Sequence, residues 1–526
     1  MGGLVIGVDV GTASARAGVF DRKGHLLGRA EHPLEIGRPD PTHAEYQSEQ
    51  IWEAVASAVR GAVSAAGVSG EDISGIGFDA TCSLVVRDRQ GLPLGVSTTG
   101  EDRWDTIVWM DHRALAEAQE CTDTGHRVLG SVGGVMSPEM EIPKLMWLKR
   151  HFPQRWERAG FFFDLADFLT WKASGSTGRS QCTLTCKWTY LAHEPTGWQG
   201  DFLETVGLGD LLARGALPER ATPIGQDLGF LTEAAAAALG LTTRCRVGAG
   251  LIDAHAGALG ALGGTCGKPG IERHLALIAG TSSCLMALSA DPHPTHGVWG
   301  PYFGAVLPGL WLNEGGQSVT GALLDHVIAL HGAGGRPGAE MHRAICARVA
   351  ELRQIEGPAF AARLHVLPDF HGNRSPLADP GALGVISGLD LDRSFDSLCR
   401  LYWRTAVGIA LGVRHILDAL NAQGHAIDTL HVTGGHIKNP LLMELYADAT
   451  GCTLVQPQTE DAVLLGTAMV AATAAGLFPD LAAATKGMEA ASIPRAPNPQ
   501  AFERFTRDYR VFLMMHEHRQ AIDRLR

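Results

Sequence analysis

Apolar residues along this chain fall into short blocks separated by longer amphipathic stretches, and the same succession occurs twice. Residues 4–10 (Leu-Val-Ile-Gly-Val-Asp-Val) are apolar and β-rich apart from Asp9, and predict a buried strand. Gly11-Thr12 turns the chain, 15–20 predicts a second strand, Asp21-Arg22-Lys23-Gly24 a turn, and 26–30 a third strand. After Ser48 the period lengthens. Ile51, Ala54, Val55, Ala58, Val59, Ala62, Val63 and Ala66 make one helical stripe, and Gly67 stops it. Residues 73–78 predict the next buried strand, with Asp79, Thr81 and Cys82 at its carboxyl end, where open α/β sheets gather ligands.

The second half repeats this order. Residues 277–283 (Leu-Ile-Ala-Gly-Thr-Ser-Ser) predict a strand and its turn, 396–420 a long helix, and 429–432 a strand ending in Gly434-Gly435. Gly-Thr-x-Ser occurs in both turns, as Gly11-Thr12-Ala13-Ser14 and as Gly280-Thr281-Ser282-Ser283. A strand followed by Gly-Thr is ordinarily only a hairpin. Two of them, each opening about half of the chain, point to duplicated domains facing one nucleotide. Their backbone N–H groups and hydroxyls make nests for a polyphosphate, and Asp9 stands where it can hold Mg²⁺ directly or through water. Glycines at 434 and 435 leave space for a flat adenine against the backbone.

Between the two repeats, residues 247–257 run from a strand through glycines to Asp253 and a small-residue helix. A carboxylate there can accept a proton from a substrate hydroxyl, or it can simply cap the helix. His255 suits a structural or supporting role. Two further stretches have polar chemistry beside a tryptophan. Residues 109–113 (Trp-Met-Asp-His-Arg) are expected to open a helix, either as a sugar surface or as an anchor with an ion pair. Glu141-Ile142-Pro143-Lys144 leads into another helix, in which Lys144, taken alone, is expected to be solvated. Residues 469–478 predict a late buried helix, and 488–526 a Pro-interrupted, then helical and charged, outer segment.

A chain of 526 residues is too long for one core, so two large domains are the default. Its net charge of −12 and lack of a long basic run make nucleic acid a poor partner. The glycine content, 65 of 526, exceeds the usual ~7% and predicts tight turns and close backbone approaches. Ten cysteines occur without CxxC. Cys182 and Cys186 lie four apart and His193 follows, but zinc would need two more ligands at suitable spacing and none is evident, so reduced thiols and a cytoplasmic protein are expected. The start lacks a basic signal region, and Ile6 stands where a myristoylation site has Ser or Thr. The longest apolar run, 462–478, falls short of a membrane span and is expected to be a buried helix.

Asp9 to Arg16, Asp253 in its glycine-flanked setting, Gly280-Thr281-Ser282 and Gly434-Gly435 together resemble the FGGY carbohydrate kinases, over roughly residues 4–478. The resemblance implies an α/β protein of the actin-like ATPase fold, with two ribonuclease-H-like domains around a cleft. The expected division is 1–256, 257–487 and a helical extension at 488–526. It also implies ATP and Mg²⁺. Gly11, Thr12 and Ser14 would form the first phosphate loop and Gly280, Thr281 and Ser282 the second. Gln317, Gly434, Gly435 and Asn439 would lie near the nucleotide, Asp9 near the metal, and Asp253 would be the catalytic base. Asp79, Thr81, Cys82, Asp111, Lys144 and Asp253 would meet the sugar.

Within the family the pentulose-kinase branch is most similar. Residues 81–86 (Thr-Cys-Ser-Leu-Val-Val) resemble the motif associated with D-ribulokinases, 142–144 resemble a sugar-contacting ribulokinase segment, and Cys82 replaces the His of a typical xylulokinase. The expected reaction is phosphorylation of the terminal hydroxyl of D-ribulose, with L-ribulose, D-xylulose and ribitol as alternatives. An actin-like ATP-binding scaffold is the reading from another class. The family also implies a homodimer, without a membrane partner.

Overall fold

The computed structural model describes residues 3–265 and 268–525. Two seven-stranded sheets carry the architecture. In the first, the order is Leu26–Pro33, Ser14–Phe20, Leu4–Val10, Ile73–Ala80, Arg246–Gly248 and Asp227–Phe230, with the short strand Leu251–Ile252 also on Ile73–Ala80. In the second, it is Trp299–Phe303, Trp311–Gln317, Ser283–Ser289, His274–Ala279, Thr429–Thr433, Thr453–Pro457 and Ser492–Arg495. Each sheet has an antiparallel meander followed by a parallel strand reached through a helix: Leu4–Val10 pairs parallel with Ile73–Ala80, and His274–Ala279 with Thr429–Thr433. The crossover helices are Ser48–Ala66 and Phe395–Ala422, so the duplicated order of elements expected from the sequence is present.

The alternation of side chains decides what packs on each face. Ile6, Val8 and Val10 bury against Ile51, Val55 and Val59 of the first crossover helix. On the opposite face of the same strand stand Val5, Gly7 and Asp9, and here the helix Ala462–Ala474 from the far end of the chain lies on the sheet. A Cβ on Gly7 would stand 2.3 Å from the Leu464 carbonyl oxygen, and one on Gly77 2.7 Å from that of Thr467. The helix Asp253–Leu262 lies in the same way on the second sheet. These two helices cross each other at Gly260 and Gly466, where an added Cβ would come within 2.0 Å of the carbonyl oxygens of Ala462 and Ala256 respectively. The apolar run at 462–478 is therefore a helix buried on every side, over Ala462–Ala474. Among the described residues no helix is long and apolar enough to cross a membrane.

A further lobe is inserted between Ala80 and Asp227. Its small sheet joins Leu84–Asp88, Thr106–Ile107 and Ala159–Asp164 to Glu45–Tyr46, beside the helices Glu141–His151 and Gln181–Lys187. The helix expected to open at Trp109 begins only at Leu115. Residues 109–113 are instead held as a turn: the Trp109 amide donates to Ser83 Oγ at 3.2 Å and Asp111 binds the Ala44 amide at 2.6 Å. The outer segment forms the strand Ser492–Arg495 and the helix Pro499–Asp523, whose Phe505, Tyr509 and Phe512 enter the second core.

Candidate active site

Parallel pairing of the central strands sets Asp9 directly across from Asp79, and Leu251 across from Asp79 in turn, so Asp253 starts its helix next to both. Asp9 and Asp79 are fully buried. Asp9 is ion-paired with Arg16, which also faces Asp461 at 3.7 Å. Asp79 accepts a hydrogen bond from Thr467 Oγ1 on the buried helix. Burial pushes all three carboxyls up. Asp9 reaches about 7 against the pull of Arg16, Asp79 is raised further by Asp9, and Asp253 is raised although the Ala254 amide donates to it at 2.8 Å.

Asp9 and Asp79 are suited to a hard divalent cation. Both Asp9 oxygens and Oδ1 of Asp79 are buried without a hydrogen-bond partner, although Arg16 remains ion-paired to Asp9. Among the described residues no three His, Cys, Asp or Glu side chains converge as a complete metal cage. Mg²⁺ commonly takes only one or two carboxylates and completes its shell with water and phosphate oxygens.

The two Gly-Thr turns are the tips of the meanders. Gly11 N–H donates to the Ser14 carbonyl at 3.0 Å, and Thr12 Oγ1 accepts from the Trp109 indole at 3.0 Å. In the second turn Gly280 N–H donates to the Ser282 carbonyl at 2.8 Å, and the amides of Thr320 and Gly321 donate to the carbonyls of Thr281 and Gly280. Thr281 itself is exposed. Gly434 has φ 88°, and its Cβ would stand 2.5 Å from the Ala279 carbonyl, so only glycine suits this junction beside the second turn. Gln317 donates to the Ile409 carbonyl at 3.1 Å and keeps its own buried Oε1 unpartnered. Asn439 caps the helix Pro440–Thr450 through Oδ1 and donates to the Tyr402 hydroxyl at 2.9 Å.

The expected sugar residues divide. Thr81 and Cys82 are buried at the end of the central strand, with Thr81 Oγ1 3.3 Å from Ser83 Oγ. Asp111 is committed elsewhere: its oxygens accept from the Ala44 amide and from the Arg113 amide, Nε and Nη2, which fills the four sites of a carboxylate. Lys144 is not solvated but fully buried, with Nζ 3.4 Å from Glu141, whose carboxyl burial raises to about 7.

Other charged groups gather here that the hydrophobic pattern does not mark. Lys187 and Arg374 lie over the Trp299 ring, 4.1 and 4.2 Å from its centroid. Glu314 accepts from His255 Nε2 at 3.3 Å and faces Arg374 at 3.8 Å. Burial alone would raise Glu314, but Lys187, His255 and Arg374 outweigh it and hold the carboxyl at about 2. Lys187 and Glu314 both act electrostatically on Cys82, and Glu314 on Asp253. Cys182 and Cys186 face His255 rather than His193, which packs on Trp311 at 4.8 Å.

Residues 4–260 match the N-terminal domain, and 275–475 the C-terminal domain, of the FGGY family of carbohydrate kinases. The chain belongs to this family. It is similar to an FGGY carbohydrate kinase domain-containing protein of Danio rerio, 44% identical over 98% of this chain and 97% of that one. A D-ribulokinase of Saccharomyces cerevisiae is 38% identical over 90% of this chain and 72% of its own. Among solved structures, a xylulose kinase from Rhodospirillum rubrum superposes with a TM-score of 0.80 at 24% identity, covering 99% of both chains. The fold is thus the two-domain actin-like ATPase fold of the sugar kinases, and the activity class is carbohydrate kinase.

Proposed function

We propose that this FGGY kinase transfers the γ-phosphoryl group of ATP to the terminal hydroxyl of a pentulose, converting D-ribulose to D-ribulose 5-phosphate. The observation that carries the substrate is the 38% identity to the yeast D-ribulokinase over 90% of the chain. The three adjoining carboxylates support the chemistry. Asp253 takes the hydroxyl proton as the sugar oxygen attacks phosphorus in line. The N–H groups and hydroxyls of the turns at Gly11–Ser14 and at 280–282 hold phosphate oxygens. Gln317, Gly434, Gly435 and Asn439 lie on the nucleotide side, with Asn439 acting through the helix it caps. Asp9, with Asp79 beside it, would hold Mg²⁺, which supplies charge neutralisation at the phosphates. Lys187 and Glu314, charged and buried near Cys82 and Asp253, are placed to bond sugar hydroxyls. Asp111 and Lys144 support the walls of the sugar side through their own ion pairs. Nine cysteines among the described residues are free thiols, which supports a cytoplasmic setting.

The test is coupled ADP release with Mg·ATP across D-ribulose, L-ribulose, D-xylulose, ribitol and glycerol, compared by kcat/KM. The expected result is a preference for D-ribulose by well over tenfold. Preference for another sugar overturns the substrate, and release indifferent to every sugar overturns the kinase reading in favour of an ATP-binding scaffold.

A further inference from the structure

The segment 252–255 is fastened on both sides of Asp253 by one sulfur atom. The Ile252 N–H donates to Cys182 Sγ at 3.4 Å, and the same Sγ lies 3.1 Å from His255 Nδ1. The imidazole then continues across the cleft, with Nε2 3.3 Å from Glu314 Oε2 on the second sheet. Cys182 and His255 are fully buried, and Glu314 nearly so. Cys182 sits on the helix Gln181–Lys187 of the inserted lobe, His255 in the first turn of the helix Asp253–Leu262, and Glu314 in the strand Trp311–Gln317. One chain of contacts therefore ties the lobe, the turn bearing Asp253 and the second domain.

The electrostatics agree with a charged pair. Burial would raise the Cys182 thiol, but the Cys186 thiol and His255 overcome it and pull it down. Burial would lower His255, but Cys182 and Glu314 overcome it and push it up. A thiolate is the stronger acceptor for both the Ile252 amide and the imidazole. A small misplacement of a catalytic group is costly in phosphoryl transfer, where positioning supplies most of the rate.

We infer that Cys182 and His255 are positioning residues that clamp the turn carrying Asp253 and join it to Glu314 across the cleft. The clamp rests on the reading of Asp253 as general base. Neither side chain touches the reacting atoms in this inference; both act through the orientation of Asp253.

The experiment measures kcat, KM for ATP and melting temperature for Cys182→Ala, Cys182→Ser, His255→Ala, His255→Gln and Asp253→Asn, with the best sugar of the panel. Cys182→Ala and His255→Ala should lower kcat by about ten- to a hundredfold with KM for ATP unchanged. Cys182→Ser keeps an acceptor, and His255→Gln keeps a donor toward Glu314, so both should recover most of kcat. A purely packing role predicts instead that truncating and conservative variants fall together, in step with melting temperature, and that result overturns the clamp. So does a kcat within twofold of wild type in both alanine variants. If an alanine variant does not fold, the serine and glutamine variants carry the test, since loss of kcat in both at unchanged melting temperature contradicts the expected recovery. Full turnover by Asp253→Asn would overturn the base assignment and the clamp together. An inactive Asp253→Asn beside normal alanine variants overturns the clamp alone.

Discussion

At the scale of single residues, the site is a problem of keeping carboxylates useful in a buried place. Asp253 has its proton affinity raised by burial, which makes it a better base than a solvated aspartate, provided it stays ionised at working pH. Asp253→Asn should therefore cut kcat by about 10²- to 10⁴-fold while ATP still binds, as read by steady-state turnover beside nucleotide titration calorimetry. The sign of the pH effect follows from the same shift. Activity needs the ionised form, so kcat/KM should fall on acidification with an apparent pKa above the usual aspartate range, and an acid limb at about 4 or below would contradict it. Asp9, Asp79 and Asp253 were legible in the sequence because each ends or follows an apolar strand that points its carboxyl end at the cleft. Lys187, Glu314 and Arg374 were not. They arrive on an inserted helix, the middle of a strand and a loop, and only tertiary contact with Trp299 and His255 brings them to the site.

Among the elements, the two central helices have the most demanding packing. An excess of glycine predicts close approaches, but no local pattern says which glycines make them. Gly466 and Gly260 sit where two helices touch backbone to backbone, so a methyl group has nowhere to go. Gly466→Ala should destabilise by about 1–3 kcal/mol, and a larger side chain by more. Gly200→Ala, where nothing stands within 4 Å and φ is not positive, should stay within about 0.5 kcal/mol of the parent. Urea unfolding of the two variants reads the difference directly, and equal midpoints would contradict the crossing geometry. The same contacts explain where pattern succeeds and fails. The strand–turn–strand units and the helices near 51–66 and 396–420 have one dominant period, and the fold keeps it. Residues 109–113 have a helix-like composition, yet Ser83 Oγ and Thr12 Oγ1 accept from Trp109 and the Ala44 amide donates to Asp111, which holds the stretch in a turn.

At the scale of the whole molecule, the proposed site draws its groups from both halves, so on that reading it is expected to be complete only when the cleft is shut. Asp9, Asp79 and Asp253 lie on the first sheet or at its edge, while the second Gly-Thr turn, Gln317 and Gly434 lie on the second. The inserted lobe meets the second half through polar contacts, among them Arg374 to Glu139 at 3.2 Å, Gln181 Nε2 to the Phe303 carbonyl at 2.9 Å and the Gly297 amide to the Gly133 carbonyl at 3.1 Å, and through packing of Lys187 on Trp299 and His193 on Trp311. The polar ones are exchangeable for water at modest cost, whereas the backbone-to-backbone crossing of Gly260 and Gly466 between the domains is not. Motion should therefore pivot at the crossed helices. Closure would exclude water from the γ-phosphate and so protect ATP from hydrolysis when sugar is present. Small-angle scattering should show the radius of gyration falling when the preferred sugar and a non-hydrolysable ATP analogue are added together, with a smaller change for either alone. Arg374→Ala should loosen the unliganded form and raise its radius, leaving the fully liganded value near that of the parent if the ligands themselves supply the closing contacts. An unchanged radius with both ligands bound would mean that the cleft is preformed, and that protection from water comes from the fixed walls around Asp253 instead.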